Sequence, residues 1–148
     1  YGQNDNFDLE SSHVLPALMR KFHEAKISGK PKVEIWGSGK ALREFLHVDD
    51  LAAAVLFALE NIDASKISSM GKTHINVGSG EEVSIKQLAN ILKEITNYEG
   101  KMYFNKTKPD GTPKKLLDCS IINNLGWSAK ISLSEGIENL YYWYKNRS

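Results

Sequence analysis

The chain has 148 residues, 41% hydrophobic and 25% charged, which fits one globular domain able to bury roughly 68–70% of its unfolded surface. A net charge of +1 provides no global field for nucleic acid or an anionic membrane, so any anion site must be a local cluster of cations. One cysteine, Cys119, excludes an internal disulfide, argues against a cysteine-ligated metal and suits the cytoplasm, while no apolar run approaches the ~20 residues of a membrane span.

Tyr1-Gly2-Gln3-Asn4-Asp5-Asn6 reads as the middle of a loop, which suggests an excised domain. Ser11-Ser12 is placed to cap a helix whose apolar positions Val14, Leu15, Leu18, Phe22 and Ala25 follow helical spacing. Pro16 falls in its first turn, where a missing N–H costs little, and Ser28-Gly29 ends it. Lys32-Val33-Glu34-Ile35-Trp36 alternates as a strand and is broken by Gly37-Ser38-Gly39. A short apolar stretch at 44–48 leads to Asp49, the expected cap of a helix over residues 50–61.

Residues 63–72 are polar and read as a loop, and His74-Ile75-Asn76-Val77 as a short strand closed by Gly78-Ser79-Gly80. Ser84 and Gln87 form a capping box for a helix to about residue 96. Lys101-Met102-Tyr103-Phe104-Asn105 reads as a further strand, followed by the turn-rich loop Lys108-Pro109-Asp110-Gly111-Thr112-Pro113. A short helix over 120–125 stops at Gly126, and Ser132 with Glu135 caps a last helix ending near residue 146. Helices and short strands alternate, so the expected fold is a small α/β domain whose glycine- and proline-rich loops carry its chemistry.

The run from Trp36 to Leu51 is the most informative. Within eight positions it offers an aromatic face, a glycine loop and a guanidinium, which are parts a nucleoside diphosphate needs: a plane for the base and a fork for phosphate oxygens. The same residues also fit a hairpin tip with Trp36 in the core and Arg43 solvated. The order Arg-Glu-Phe-Leu-His-Val-Asp-Asp-Leu-Ala resembles the C-terminal half of extended short-chain dehydrogenase/reductases that act on nucleotide sugars. Two further segments, Asn4-Asp5-Asn6-Phe7 with Ser12-His13-Val14-Leu15-Pro16-Ala17-Leu18, and Lys108 through Asp118, resemble the GDP-L-fucose synthase branch. The resemblance runs over nearly the whole chain.

That resemblance implies the substrate-binding domain of such an enzyme, without its Rossmann domain. His13 matches an acid/base of the epimerisation steps; Trp36, Arg43 and Lys115 match residues of the nucleotide-sugar pocket, with Arg43 on the phosphates. Val14, Leu18 and Lys21 fall where the first helix lines the GDP site, and Lys21 stands where some members carry arginine. The implied reaction takes GDP-4-keto-6-deoxy-D-mannose through inversion at C3 and C5 and reduction by NADPH to GDP-L-fucose. NADP is expected on the missing N-terminal domain, because no Gly-x-x-Gly-x-x-Gly fingerprint occurs in this chain. The resemblance further implies a homodimer for the whole enzyme and a monomer for this piece.

Structural roles compete with some of these assignments. Asp49 and Asp50 read as capping residues, and His23, His47 and His74 as structural, without metal-ligand spacing. Tyr141 and Lys145 share the spacing of the reductase dyad, but lie in an aromatic-rich terminal helix where core packing is the better account; Cys119 is not expected to transfer protons. The alternatives are another nucleotide-sugar epimerase, dehydratase or reductase using a UDP or dTDP sugar, or a nucleotide-binding module without catalysis. The net charge and the lack of a basic stripe argue against nucleic acid.

Overall fold

In the computed structural model, which describes residues 1–147, helix α1 (Val14–Ile27) buries Leu15, Leu18, Phe22 and Ala25 of the predicted stripe and Met19 beside them, while Val14 is only half-buried. Its N-cap is the extended residue His13 (φ −71°, ψ 164°), not the expected serine pair. Ser11 is engaged earlier: its hydroxyl donates to Asp8 Oδ1 at 2.9 Å and closes the preceding loop. Strand β1 (Lys32–Trp36) alternates exposed and buried residues, sending Val33 and Ile35 into the core.

After β2 (Leu42–Glu44) comes α2 (Val48–Asn61), which starts two residues before the expected position. Its cap is His47, whose Nδ1 accepts from Asp49 N at 3.2 Å, so Asp49 lies within the first turn. His47 is buried with its ring edge-on to Tyr1, and burial, with the Asp50 and Glu135 carboxylates nearby, pushes the Tyr1 phenol up to about 12. Asp50 is also buried; Oδ1 and Oδ2 accept from Lys130 N, and Oδ2 from Ile131 N at 2.9 Å. A short helix α3 (Ala64–Ser69) occupies part of the stretch expected to be loop.

His74-Ile75-Asn76-Val77 does not form the expected strand. A strand needs a neighbouring edge, and no described segment pairs with it. Ile75 and Val77 rest instead against a small cluster of Ala54, Cys119, Ile122 and Trp127. Strand β3 (Glu82–Ser84) follows, and α4 (Ile85–Ile95) carries the predicted capping box between Ser84 and Gln87. Strand β4 (Lys101–Asn105) pairs in parallel with β1 from Lys32↔Lys101 to Trp36↔Asn105.

The two-residue β5 (Lys114–Lys115) completes a second sheet in the order β3-β2-β5, with β2 antiparallel to β3 and parallel to β5. Helix α5 (Ser120–Asn124) and α6 (Leu133–Asn146) close the chain; Ser132 Oγ accepts from Glu135 N at 3.3 Å, as its cap spacing predicts. Phe22, Leu15, Met19, Ile35, Leu88, Leu92, Ile137 and Leu140 are fully buried where α1, α4 and α6 pack with β1. The fold is thus the small α/β domain expected from the sequence. Tyr141 is part of this core, with its hydroxyl 3.2 Å from His23 Nδ1, which supports packing over catalysis for the Tyr141–Lys145 pair. No helix among the described residues is long and apolar enough to cross a membrane.

Candidate functional site

Strand β1 ends on Trp36, an outward position of its alternation, so the indole stays 53% exposed rather than entering the core. The run is therefore not a hairpin tip with a buried tryptophan. Two ammonium groups approach the ring, Lys21 Nζ from α1 at 5.2 Å and Lys108 Nζ from the segment after β4 at 5.1 Å. Cations at this range are attracted by the ring's negative faces. Lys21 also donates to Glu34 O at 3.4 Å, and burial holds its ammonium below the usual lysine range, with Glu34 opposing.

The chain then turns through Gly37 (φ +81°) and Gly39 (φ +78°), a left-handed backbone that suits glycine. Residues 106–113 lie across this turn as a strap. Asp110 Oδ1 accepts from Ser38 N, and its Oδ2 accepts from Ser38 Oγ at 2.7 Å. These bonds, the hydroxyl's first, hold the Asp110 carboxyl below the usual carboxylate range. Arg43 Nη1 donates to Leu42 O at 2.7 Å and to Thr112 O at 2.6 Å, tying β2 to the same strap. Arg43 pairs in register with Lys115 on β5, and paired residues of a parallel ladder project from the same face.

Trp36, Lys21, Arg43 and Lys115 are therefore joined, directly or through the strap, on one part of the molecule. His13 is exposed at the start of α1, and no hydrogen bond among the described residues ties it to this group. Val14 is half-buried against the main core, and Leu18 keeps only 3% of its surface, so it packs beneath the helix surface. Lys108, Ser38 and Asp110 were not singled out from the sequence as individual contributors. The turn-rich composition of 108–113 marked the loop, but its partner is 72 residues away, from Ser38 to Asp110.

Glu44 anchors the other end of β2. Its Oε1 accepts from Gly80 N at 2.7 Å and its Oε2 from Leu117 N at 3.1 Å, which fixes the chain on both sides of the Arg43–Lys115 pair. The arrangement offers an exposed aromatic plane and four cationic side chains, chemistry suited to a nucleobase with attached phosphates. It contains no group of metal ligands among the described residues. Its two glycine turns both lead into strands, Gly37–Gly39 into β2 and Gly78–Gly80 into β3.

Known proteins resemble the chain over nearly its whole length. The chain is 54% identical to GDP-L-fucose synthase 1 of Arabidopsis thaliana over 97% of its own length, and spans 42% of that protein. Among solved structures, a GDP-6-OMe-4-keto-L-xylo-heptose reductase from C. jejuni is 39% identical with a TM-score of 0.91, over all of this chain and 52% of that one. A GDP-L-fucose synthetase from Naegleria fowleri bound to NADP is 31% identical with a TM-score of 0.87, over 98% of this chain and 44% of that one. The chain thus spans about half the length, or less, of the proteins it matches. A model of the NAD dependent epimerase/dehydratase family matches residues 1–78, more than half of the sequence, and this chain belongs to that family.

Proposed function

We propose that this chain is the GDP-sugar-binding part of an enzyme that converts GDP-4-keto-6-deoxy-D-mannose to GDP-L-fucose. The observation that carries it is the exposed Trp36 ring flanked by Lys21 and Lys108 and linked by the strap to Arg43 and Lys115. Trp36 offers a plane for guanine, and Arg43 with Lys115 a cationic pair for the diphosphate. Its relatives, which include GDP-L-fucose synthases, support guanine as the base.

In this reading the 4-keto group acidifies the C3 and C5 protons, and His13 exchanges a proton with the sugar. Its imidazole is exposed at the helix cap and makes no side-chain capping bond among the described residues, which leaves its ring nitrogens open to a ligand. Reduction of the ketone belongs to a dinucleotide-binding part outside this chain, in keeping with the NADP of the Naegleria relative. That part would cover the apolar side of α2, where Leu51, Val55, Leu56 and Leu59 are exposed, and give residues 74–77 the strand neighbour they lack. The buried, unpaired Cys119 is compatible with the cytoplasm.

The likeness to a GDP-heptose reductase favours one second reading, in which the guanine site is kept and the sugar differs. Both are tested by titrating the full-length protein containing this chain with GDP, UDP and ADP, then supplying GDP-4-keto-6-deoxy-D-mannose with NADPH. GDP-selective binding and formation of GDP-L-fucose are expected. Selective UDP binding overturns the guanine assignment; GDP binding without turnover of that sugar moves the case to the second reading.

A further inference from the structure

Asp110 is a carboxylate within a group of cations, and a carboxylate facing a diphosphate would repel it. Its place is explained by what it grips. Both of its oxygens are engaged by Ser38, one by the backbone N–H and the other by the hydroxyl. A Cβ on Gly37 would collide with that carboxylate, so the tight glycine turn leaves room for the grip as well as providing the backbone shape. Two residues before Asp110 in the strap, Lys108 reaches the Trp36 ring; two residues after it, Thr112 O receives the Arg43 guanidinium. The strap's ends are held independently, by Lys108 N to Asn105 O at 3.1 Å and Leu42 N to Pro113 O at 2.9 Å. The segment between them is set by the Asp110–Ser38 bonds and by Arg43.

We propose that Asp110 is a positioning residue: by gripping Ser38 it holds the strap across the Gly37–Gly39 turn, and so presets Lys108 at the indole and Arg43 beside the strap for a guanine nucleotide. This rests on the guanine-nucleotide reading above. Preorganisation of this kind acts on affinity, because a strap that must be ordered on binding subtracts its ordering cost from the binding free energy. The Ser38 hydroxyl and the Asp110 carboxylate then act as one device, not as two separate contacts with ligand.

The test is calorimetric titration of the full-length protein with GDP for wild type, Ser38→Ala, Asp110→Ala, Asp110→Asn and the Ser38→Ala/Asp110→Ala double variant. Amide exchange of residues 106–113 is followed without ligand. Asp110→Ala is expected to weaken GDP binding about tenfold and Ser38→Ala somewhat less, with the double variant no worse than Asp110→Ala alone. Asp110→Asn, which keeps an acceptor, recovers part of the loss. Strap amides exchange faster in Asp110→Ala, while the melting temperature moves by no more than about 2 °C, as for an exposed contact. Unchanged affinity in Asp110→Ala, losses that multiply in the double variant, or unchanged strap exchange would each overturn the proposal. Wild type that binds UDP but not GDP removes the guanine reading instead, and exchange then still reports whether the grip orders the strap.

Discussion

Arg43 on β2 and Lys115 on β5 stand in register across a parallel ladder, so two cations share one face of a three-stranded sheet. Like charges directly opposite one another destabilise a sheet. The ion pairs of the described residues, Arg20–Glu24 and Lys114–Glu82, leave both of these cations out. A bound anion between them would replace repulsion with attraction. The first prediction is therefore that GDP and inorganic pyrophosphate raise the melting temperature of the full-length protein, and that added salt reduces the effect.

Removing the fork should cost more than removing the neighbouring point charge. Arg43→Ala is expected to weaken GDP binding by about 10–100-fold, the range of one charge-assisted hydrogen bond or slightly more, and Lys115→Ala by about threefold to tenfold. Arg43→Lys should recover only part of the loss, since lysine cannot bond bidentately. Titration calorimetry of the three variants checks the order; equal losses at both positions would contradict it.

Lys21 predicts a pH dependence. Burial lowers its pKa from 10.5, so between the folded and unfolded values the unfolded chain binds more protons and folding stability rises with pH. Anion binding has the opposite sign, because it needs the ammonium. GDP affinity is expected to fall as pH rises through this lowered pKa, before an ordinary lysine would titrate. Lys21→Ala should flatten that limb of the profile, measured at constant ionic strength.

His13 is exposed and its side chain caps nothing, so His13→Ala should leave the melting temperature within about 2 °C of wild type. If His13 moves protons at the sugar, solvent deuterium incorporation at C3 or C5 of the product should fall by about 10²–10⁴-fold in the variant while GDP affinity holds. Normal incorporation would remove the catalytic assignment.

Asp50 makes a contrasting prediction, because its carboxylate is buried and receives the amides of Lys130 and Ile131 just before α6. Asp50→Ala strands those donors and is expected to cost about 2–4 kcal/mol in denaturant unfolding, with Asp50→Asn costing less. The effect should appear without any change in nucleotide selectivity.

Local signals were legible where the information is local. The burial stripe of α1 from Leu15 to Ala25, the Ser84–Gln87 box and the Ser132–Glu135 cap rest on spacings of three or four residues and formed as read; only Val14, at the helix start, is half-buried. His47 displaced Asp49 as the cap of α2 because its buried ring, held by Tyr1, accepts the Asp49 amide. The candidate binding residues Trp36, Arg43 and Lys115 are marked by residue order, through the family resemblance that order carries.

Alone, then, the sequence determined the alternation of helices and strands, the core stripe and the residue types available for a nucleotide, because these depend on neighbours along the chain. Tertiary structure decided what pairs with what. Strands of two or three residues have too little length to show a period, and β2 exists only because β3 and β5 return from 42 and 72 residues away, as Leu42 meets Ser84 and Lys114. The same long-range closure placed Lys108 at Trp36 and Asp110 on Ser38. It also left residues 74–77, which alternate like a strand, without the hydrogen-bonding edge that would make them one.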